Sequence, residues 1–272
     1  MDSRDLLEMK IVILCGGLGT RLSEETQTKP KPLVAIGERP ILWHVMQIYS
    51  YYGFNNFVLA LGYKGEMIKQ YFLNYPFLES NFHIDLSSGE IKHLRKHQTQ
   101  WKIDLVDTGF NTLTGGRLKR LQSYLQDKTF MLTYGDGLSN INIRKLLEFH
   151  FSHGKIATIS AVHPIARFGE MEIEENKVRC FKEKPQTQVG WINGGFFVFE
   201  PQVFHYLDGD QSVLEKAPLE NLVKDKQLMA YSHEGFWYCM DTLRDVQVLT
   251  SLWESGNPPW MMHKESVEKI NV

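Results

Sequence analysis

The apolar run at residues 10–15, Lys10-Ile11-Val12-Ile13-Leu14-Cys15, stops at Gly16-Gly17. That is the pattern of a strand buried on both faces of a parallel sheet. A polar loop follows as far as Pro40. From Ile41 onward Leu42, Val45, Met46, Tyr49 and Tyr52 recur at helical spacing, with Pro40 suited to the first helical position and Gly53 beyond the end, so a helix is predicted. Residues 57–61 read as the next buried strand, and Met67, Ile68, Tyr71 and Phe72 put one apolar stripe on the helix after it. The alternation continues with strands at 103–106, 130–134 and 156–162 and helices at 117–125 and 143–153. Strand-helix alternation of this kind implies crossovers onto a parallel sheet.

Beyond Pro164 the texture changes. Residues 171–173 and 178–182 flank the polar turn Glu174-Glu175-Asn176-Lys177, which predicts a hairpin and hence antiparallel strands joining the sheet. Further strands are expected at 196–199 and 236–240, with helices near 201–207, 214–226 and 243–255. The expected fold is a doubly wound, mostly parallel α/β sheet with an antiparallel C-terminal elaboration. No internal repeat or clear linker divides it, so residues 10–260 are expected to be one domain, with 1–9 an N-terminal extension and 261–272 a C-terminal tail.

Composition narrows the function classes. The chain has 272 residues, 43% hydrophobic and 23% charged, with 30 Lys and Arg against 32 Asp and Glu. It has no global positive excess of the kind that marks nucleic-acid or anionic-membrane binders. No run approaches the roughly 18 apolar residues of a membrane span, the first residues hold no apolar export signal, and three scattered cysteines form no disulfide framework. A cytoplasmic protein is expected.

Gly16-Gly17-Leu18-Gly19-Thr20-Arg21-Leu22 follows the first strand at the sheet edge where open α/β proteins bind ligands. Glycines there let backbone N–H groups approach an anion. The loop is neither a dinucleotide fingerprint, since Leu22 stands where a third small residue is needed, nor a P-loop, since no Gly-Lys-Ser/Thr exists. Arg21, Lys29 and Lys31 add three cations in a short segment stiffened by Pro30 and Pro32. On residue type alone this is either a polyphosphate site or a solvated basic loop.

With these residues on view, the sequence resembles the sugar-1-phosphate nucleotidylyltransferases, whose signature is an apolar strand, G-G-x-G-T-R-L and a K-P lysine. The later blocks Gly62-Tyr63-Lys64-Gly65, Asp107-Thr108-Gly109, Thr114-Gly115-Gly116-Arg117, Tyr134-Gly135-Asp136-Gly137, Lys182-Glu183-Lys184-Pro185, Ile192-Asn193-Gly194-Gly195 and Met240-Asp241-Thr242 continue the likeness to about Trp260. It is closest to the cytidylyltransferase branch. Cys15 and Ala35 depart from the usual Ala and Glu, and Cys15 is expected to make the loop sensitive to thiol reagents.

The resemblance implies a Rossmann-like nucleotidyltransferase sheet and a Mg²⁺-dependent transfer of CMP from CTP to glucose 1-phosphate, by a homo-oligomer. Two polyanions must meet, so cations and N–H dipoles carry most of the catalysis. The sugar phosphate is already mostly dianionic at neutral pH and needs no general base, so none of the ten histidines is given a role. The implied catalytic residues are Arg21, Lys31, Asp136 and Asp241. Nucleotide binding falls to Leu14, Gly16, Gly17, Gly19, Thr20, Arg21, Lys31, Gly116, Arg117 and Gly135, and sugar-phosphate binding to Glu183, Lys184, Asn193 and Gly194.

Mg²⁺ takes oxygen ligands, and the resemblance gives it Asp136 and Asp241. By position alone Asp136 is equally a turn aspartate and Asp241 equally the N-cap of the following helix. Arg117 is either a nucleotide contact or a surface arginine at a helix start, and Trp237 either walls the sugar site or packs in the core. Two alternatives accompany the cytidylyl reading: the same chemistry with UTP, dTTP or GTP, and a non-catalytic nucleotide-sugar sensor.

Overall fold

The computed structural model describes residues 8–94, 99–164, 170–174, 177–182 and 190–261. Seven strands build its central sheet: β1 (Lys10–Leu14), β2 (Asn56–Leu61), β3 (Lys102–Asp107), β4 (Phe130–Tyr134), β5 (Ala157–Val162), β6 (Ile192–Phe199) and β7 (Leu228–His233). Their spatial order is β7-β5-β6-β4-β1-β2-β3. All neighbours run parallel except β6, which is antiparallel to both β5 and β4. The sheet is therefore mostly parallel, as the apolar runs predict.

Side-chain alternation splits β1 between two cores. Ile11 and Ile13 face one cluster, Val12 and Leu14 the other. Helices α1 (Ile41–Tyr51), α2 (Gly65–Leu78), α3 (Thr114–Arg120), α4 (Ile143–His153), α5 (Ala217–Lys224) and α6 (Leu243–Glu254) cover the sheet. Leu42, Val45 and Tyr49 of α1, Leu146 of α4 and Leu249 of α6 pack on the first side, and Leu118 of α3 and Leu222 of α5 on the second. Both faces are thus buried at the centre, which is why β1 and β2 are continuous apolar runs, whereas edge strands β3 and β7 alternate.

Several boundaries differ from the sequence reading, each for a local reason. The helix expected over 117–125 begins at Thr114 and is interrupted at Leu121, with a separate turn at Gln122–Leu125. Pro40 is the N-cap of α1, in extended backbone, and Ile41 N–H bonds the Val34 carbonyl. Helix α5 starts only at Ala217, with Pro218 in its first turn, because Leu214 is buried in the core ahead of it. Asn142 caps α4 by accepting from Lys145 N–H, and Gly154 ends it in the left-handed conformation.

The hairpin Glu170–Glu174 with Lys177–Lys182 forms as predicted but makes its own two-stranded sheet. The antiparallel member of the central sheet is instead β6. The strand expected at 236–240 is Trp237–Cys239, and it pairs with Gly137–Ser139 outside the central sheet. Edge strand β7 and the hairpin Phe82–Asp85 with Glu90–His93 were not expected from the pattern.

Candidate active site

The strand order reverses at β1, with β2 on one side and β4 on the other. In doubly wound sheets the crevice beyond such a switch point is where ligands bind. The loop after β1 and the Gly135-Asp136 turn after β4 meet there, tied by Gly135 N–H to the Leu14 carbonyl (3.2 Å), while Cys15 N–H to the Ala60 carbonyl (3.0 Å) holds the start of the loop against β2. They open onto a cleft of about 590 Å³ whose lining includes Leu14, residues 16–21, Lys31, Tyr134, Gly135, Asp136 and Asp241.

Gly19 adopts φ 64° and caps the short turn Thr20–Leu22, with Thr26 Oγ1 donating to its carbonyl at 3.1 Å. Gly17 is different. A Cβ there would meet no atom within 4 Å, so packing alone does not call for glycine at this point of the cleft wall.

Four charged side chains converge at one end of the cleft. Lys31 Nζ donates to Asp136 Oδ2 at 2.6 Å and to Asp241 Oδ1 at 2.8 Å, and Arg21 donates to Asp241 Oδ2 at 2.7 Å. Burial works against the Lys31 ammonium, but the adjacent Asp136 charge and hydrogen bonds to Asp136 and Asp241 outweigh it and hold Lys31 above the ordinary lysine value. The ladder of Gly137–Ser139 with Trp237–Cys239, extended by Met240 N–H to the Asp136 carbonyl (2.9 Å), brings the two aspartates together.

Asp241 is not the helix cap. Thr242 caps α6 in a capping box with Asp245, whose Oδ2 also accepts from Asp241 N–H at 2.9 Å. The Asp241 carboxylate is left turned toward Lys31 and Arg21.

Ligand atoms of Asp136, Cys239 and Asp241 all lie within 4.8 Å of one another. Two carboxylates already bridged by one cationic group are a donor set that fits a hard divalent ion. Cys239 was not anticipated; burial and the nearby Asp136 push its thiol up, so it stands beside the carboxylates as a neutral group. Cys15 is buried, and burial raises its thiol as well. The expected sensitivity of the loop to thiol reagents is therefore corrected, because reactivity requires an accessible thiolate.

Arg117 is not a surface residue. It is 4% exposed, and Nη1 and Nη2 lie within hydrogen-bond distance of the carbonyls of Gly16, Leu61, Gly109 and Phe110 and of Thr108 Oγ1. The guanidinium thus joins the loops after β1, β2 and β3. A Cβ on Gly16 or Gly62 would overlap it, which accounts for glycine at both. Among the described residues no carboxylate pairs with it.

A Cβ on Gly116 would overlap the Asp210 backbone, so this glycine lets α3 pack on the 209–212 segment; its nucleotide role remains the proposal the resemblance makes. Asn193 donates to the Tyr134 hydroxyl at 3.2 Å and accepts from Gly195 N–H at 2.8 Å. Tyr134 in turn donates to Glu215 Oε1, whose second oxygen accepts from Thr114 Oγ1 at 2.7 Å. Tyr134 stands in a motif block but with no role read for it, and Glu215 lies in none, so the sequence reading misses both. Trp237 is half-buried, packs on the core and donates to the Gly194 carbonyl at 2.7 Å, so it shapes this edge while serving the core. Glu183 and Lys184 lie outside the described residues.

Comparison with known proteins adds to this geometry. The profile described as Nucleotidyl transferase matches residues 10–255. Glucose-1-phosphate cytidylyltransferase from Salmonella typhi is 49% identical over 255 residues, covering 93% of this chain and 98% of that protein. A probable glucose-1-phosphate cytidylyltransferase from Bacillus subtilis is 47% identical, covering 93% and 99%. Mannose-1-phosphate guanyltransferase from Saccharomyces cerevisiae is 30% identical over 90% of this chain and 64% of its own length. The crystal structure of HddC from Yersinia pseudotuberculosis complexed with GMP-PN superposes with a TM-score of 0.66 at 23% identity, covering 90% of this chain and 99% of that one.

Proposed function

The chain belongs to the nucleotidyl transferase family, and from that premise we propose that it transfers CMP from CTP to glucose 1-phosphate, giving CDP-glucose and pyrophosphate. The observation that carries the reading is the cluster in which Lys31 and Arg21 meet Asp136 and Asp241 at the switch-point cleft. CTP is favoured over GTP because the cytidylyltransferases are 47–49% identical to this chain and the guanyltransferase 30%. The complete set of cations and carboxylates speaks for turnover rather than a sensor.

In the reaction a phosphate oxygen of glucose 1-phosphate attacks the α-phosphorus of CTP, the bond to the α,β-bridging oxygen breaks, and pyrophosphate leaves with that electron pair. No proton has to be removed from the dianionic phosphate. Backbone N–H groups of residues 16–20 receive the triphosphate, and Gly17 lets it approach the main chain. Arg21, whose planar fork can bind two oxygens at once, braces the departing pyrophosphate, and Lys31 neutralises charge near the α-phosphate.

Asp136 and Asp241 would hold a divalent cation, proposed as Mg²⁺, which when bound neutralises phosphate charge. Arg117 holds the loop from behind, fixing which way its carbonyls point. Leu14 and Gly135 form the cleft floor. Asn193 and Gly194 shape the sugar side through Tyr134 and Trp237, and Glu183 and Lys184 are proposed to receive the sugar hydroxyls and phosphate.

The same reading carries residues 10–260 as one catalytic domain between a 1–9 extension and a 261–272 tail. Both substrates are cytoplasmic metabolites, which supports that location; no helix among the described residues is long and apolar enough to cross a membrane. A homo-oligomer is supported by exposed Leu73, Leu78 and Leu86 on α2 and the neighbouring hairpin, apolar surface that a second copy would cover. Incubation with CTP, glucose 1-phosphate and Mg²⁺, followed by mass spectrometry, tests the function. CDP-glucose and pyrophosphate in equal amounts are expected, and absence of CDP-glucose overturns it.

A further inference from the structure

Lys31 stands between the two carboxylates that are proposed to ligate the metal. Its Nζ is 2.6 Å from Asp136 Oδ2 and 2.8 Å from Asp241 Oδ1. A divalent ion on the same two side chains, with oxygen distances of about 2.0–2.1 Å for Mg²⁺, cannot share that position with an ammonium. The charges count the same way. Two carboxylates face one lysine and one arginine, a neutral set, and a divalent ion added without a departure would leave two positive charges in excess within a few ångströms.

The backbone of Lys31 is fixed by its turn, while its side chain is held at the charged end by the two aspartates. Lys31–Leu33 is a single turn with Pro30 at its N-cap and Pro32 inside it, closed by Leu33 N–H to the Pro30 carbonyl (2.8 Å) and Val34 N–H to the Lys31 carbonyl (3.0 Å). From that anchor a flexible four-carbon stem can swing the ammonium. Lys31 and Arg21 line the same cleft as the glycine loop, so a triphosphate there offers both cations another partner.

Resting on the reading that Asp136 and Asp241 are the metal ligands, we infer that Lys31 and the divalent cation exclude one another at this carboxylate pair. Nucleotide binding draws Lys31 off the aspartates onto phosphate, so metal enters with the nucleotide rather than before it. Linkage makes the effect mutual, and nucleotide and metal each raise the other's affinity.

Mn²⁺ binding followed by electron paramagnetic resonance, without sugar phosphate and hence without turnover, tests this. Lys31→Met in the absence of nucleotide is expected to bind Mn²⁺ about tenfold more tightly than the wild type, and adding Asp136→Asn to that variant should abolish the gain. Lys31→Gln serves equally where circular dichroism shows Lys31→Met unfolded. Unchanged Mn²⁺ affinity in the lysine variants overturns the exchange. If the affinity is unchanged but Asp136→Asn removes the Mn²⁺ that the wild type retains with CTP, the ligand reading stands alone. If Asp136→Asn retains that Mn²⁺ fully, the ligand reading fails and the exchange with it.

Discussion

Gly137 and Cys239 face one another in an antiparallel ladder, and that register sets the spacing of the site. Asp136 precedes the first strand of the ladder and Asp241 follows the second, with Met240 N–H bonded to the Asp136 carbonyl between them. Two distant parts of the chain thereby present carboxylates to one lysine.

The ligand role proposed for Asp136 predicts that Asp136→Asn folds normally and loses turnover by about 100-fold or more, the scale of removing one preorganised electrostatic group. Lys31 keeps its bond to Asp241 in this variant, so the melting temperature should change little. Near wild-type pyrophosphate release at saturating Mg²⁺ would contradict the role.

Asp245 receives Asp241 N–H, Thr242 N–H and the Thr242 hydroxyl on one carboxylate oxygen. Asp245→Ala should therefore cost about 1–2 kcal/mol of stability by urea denaturation and lower kcat as well, because the backbone under Asp241 loses its anchor. A stability loss with kcat intact would separate the cap from the site.

Loss of Arg117 should act on loop and fold together. Arg117→Met takes the donor from the Gly109 carbonyl, at a cost of about 1–3 kcal/mol for an acceptor left unsatisfied, and strips the Gly16 and Leu61 carbonyls back to Tyr63 N–H and to the Thr108 N–H and hydroxyl. Arg117→Lys should rescue little, since one ammonium cannot span the same acceptors. Calorimetric titration with CTP is expected to show weakened binding in Arg117→Lys; binding equal to wild type would sever the brace from the phosphate loop.

Much of this was legible in the sequence, and what was not has physical causes. The runs at Ile11–Leu14 and Phe57–Leu61 are apolar because both sheet faces are buried, so β1 and β2 announce themselves. Asn142 and Gly154 mark both ends of α4. Gly137–Ser139 is only three residues long, and nothing local says that its partner lies near Trp237. The burial of Arg117 was equally hidden, because its acceptors are backbone carbonyls, which carry no residue signature. Tyr134 reads as core strand until Asn193 and Glu215 are brought to its hydroxyl.

A buried histidine gives the fold a defined acid limb. His44 is fully buried, Nε2 facing the Ile36 carbonyl at 2.9 Å and Nδ1 accepting from Trp260 at 3.3 Å, and burial lowers it to about 4. Above pH about 6.5 both folded and unfolded states are neutral there and its contribution is fully present. As pH falls from about 6.5 to 4 the unfolded chain takes the proton and the folded one does not, so stability should decline by about 3 kcal/mol. Urea denaturation across that range checks this, and His44→Gln should flatten the decline.

Transfer of CMP is tested by initial rates of pyrophosphate release with glucose 1-phosphate and Mg²⁺ across CTP, UTP, dTTP, GTP and ATP. Rapid release with CTP and little with the other four is expected. Equal or faster release with another nucleotide would contradict the base assignment while keeping the mechanism, and no release with any of them would contradict the activity itself.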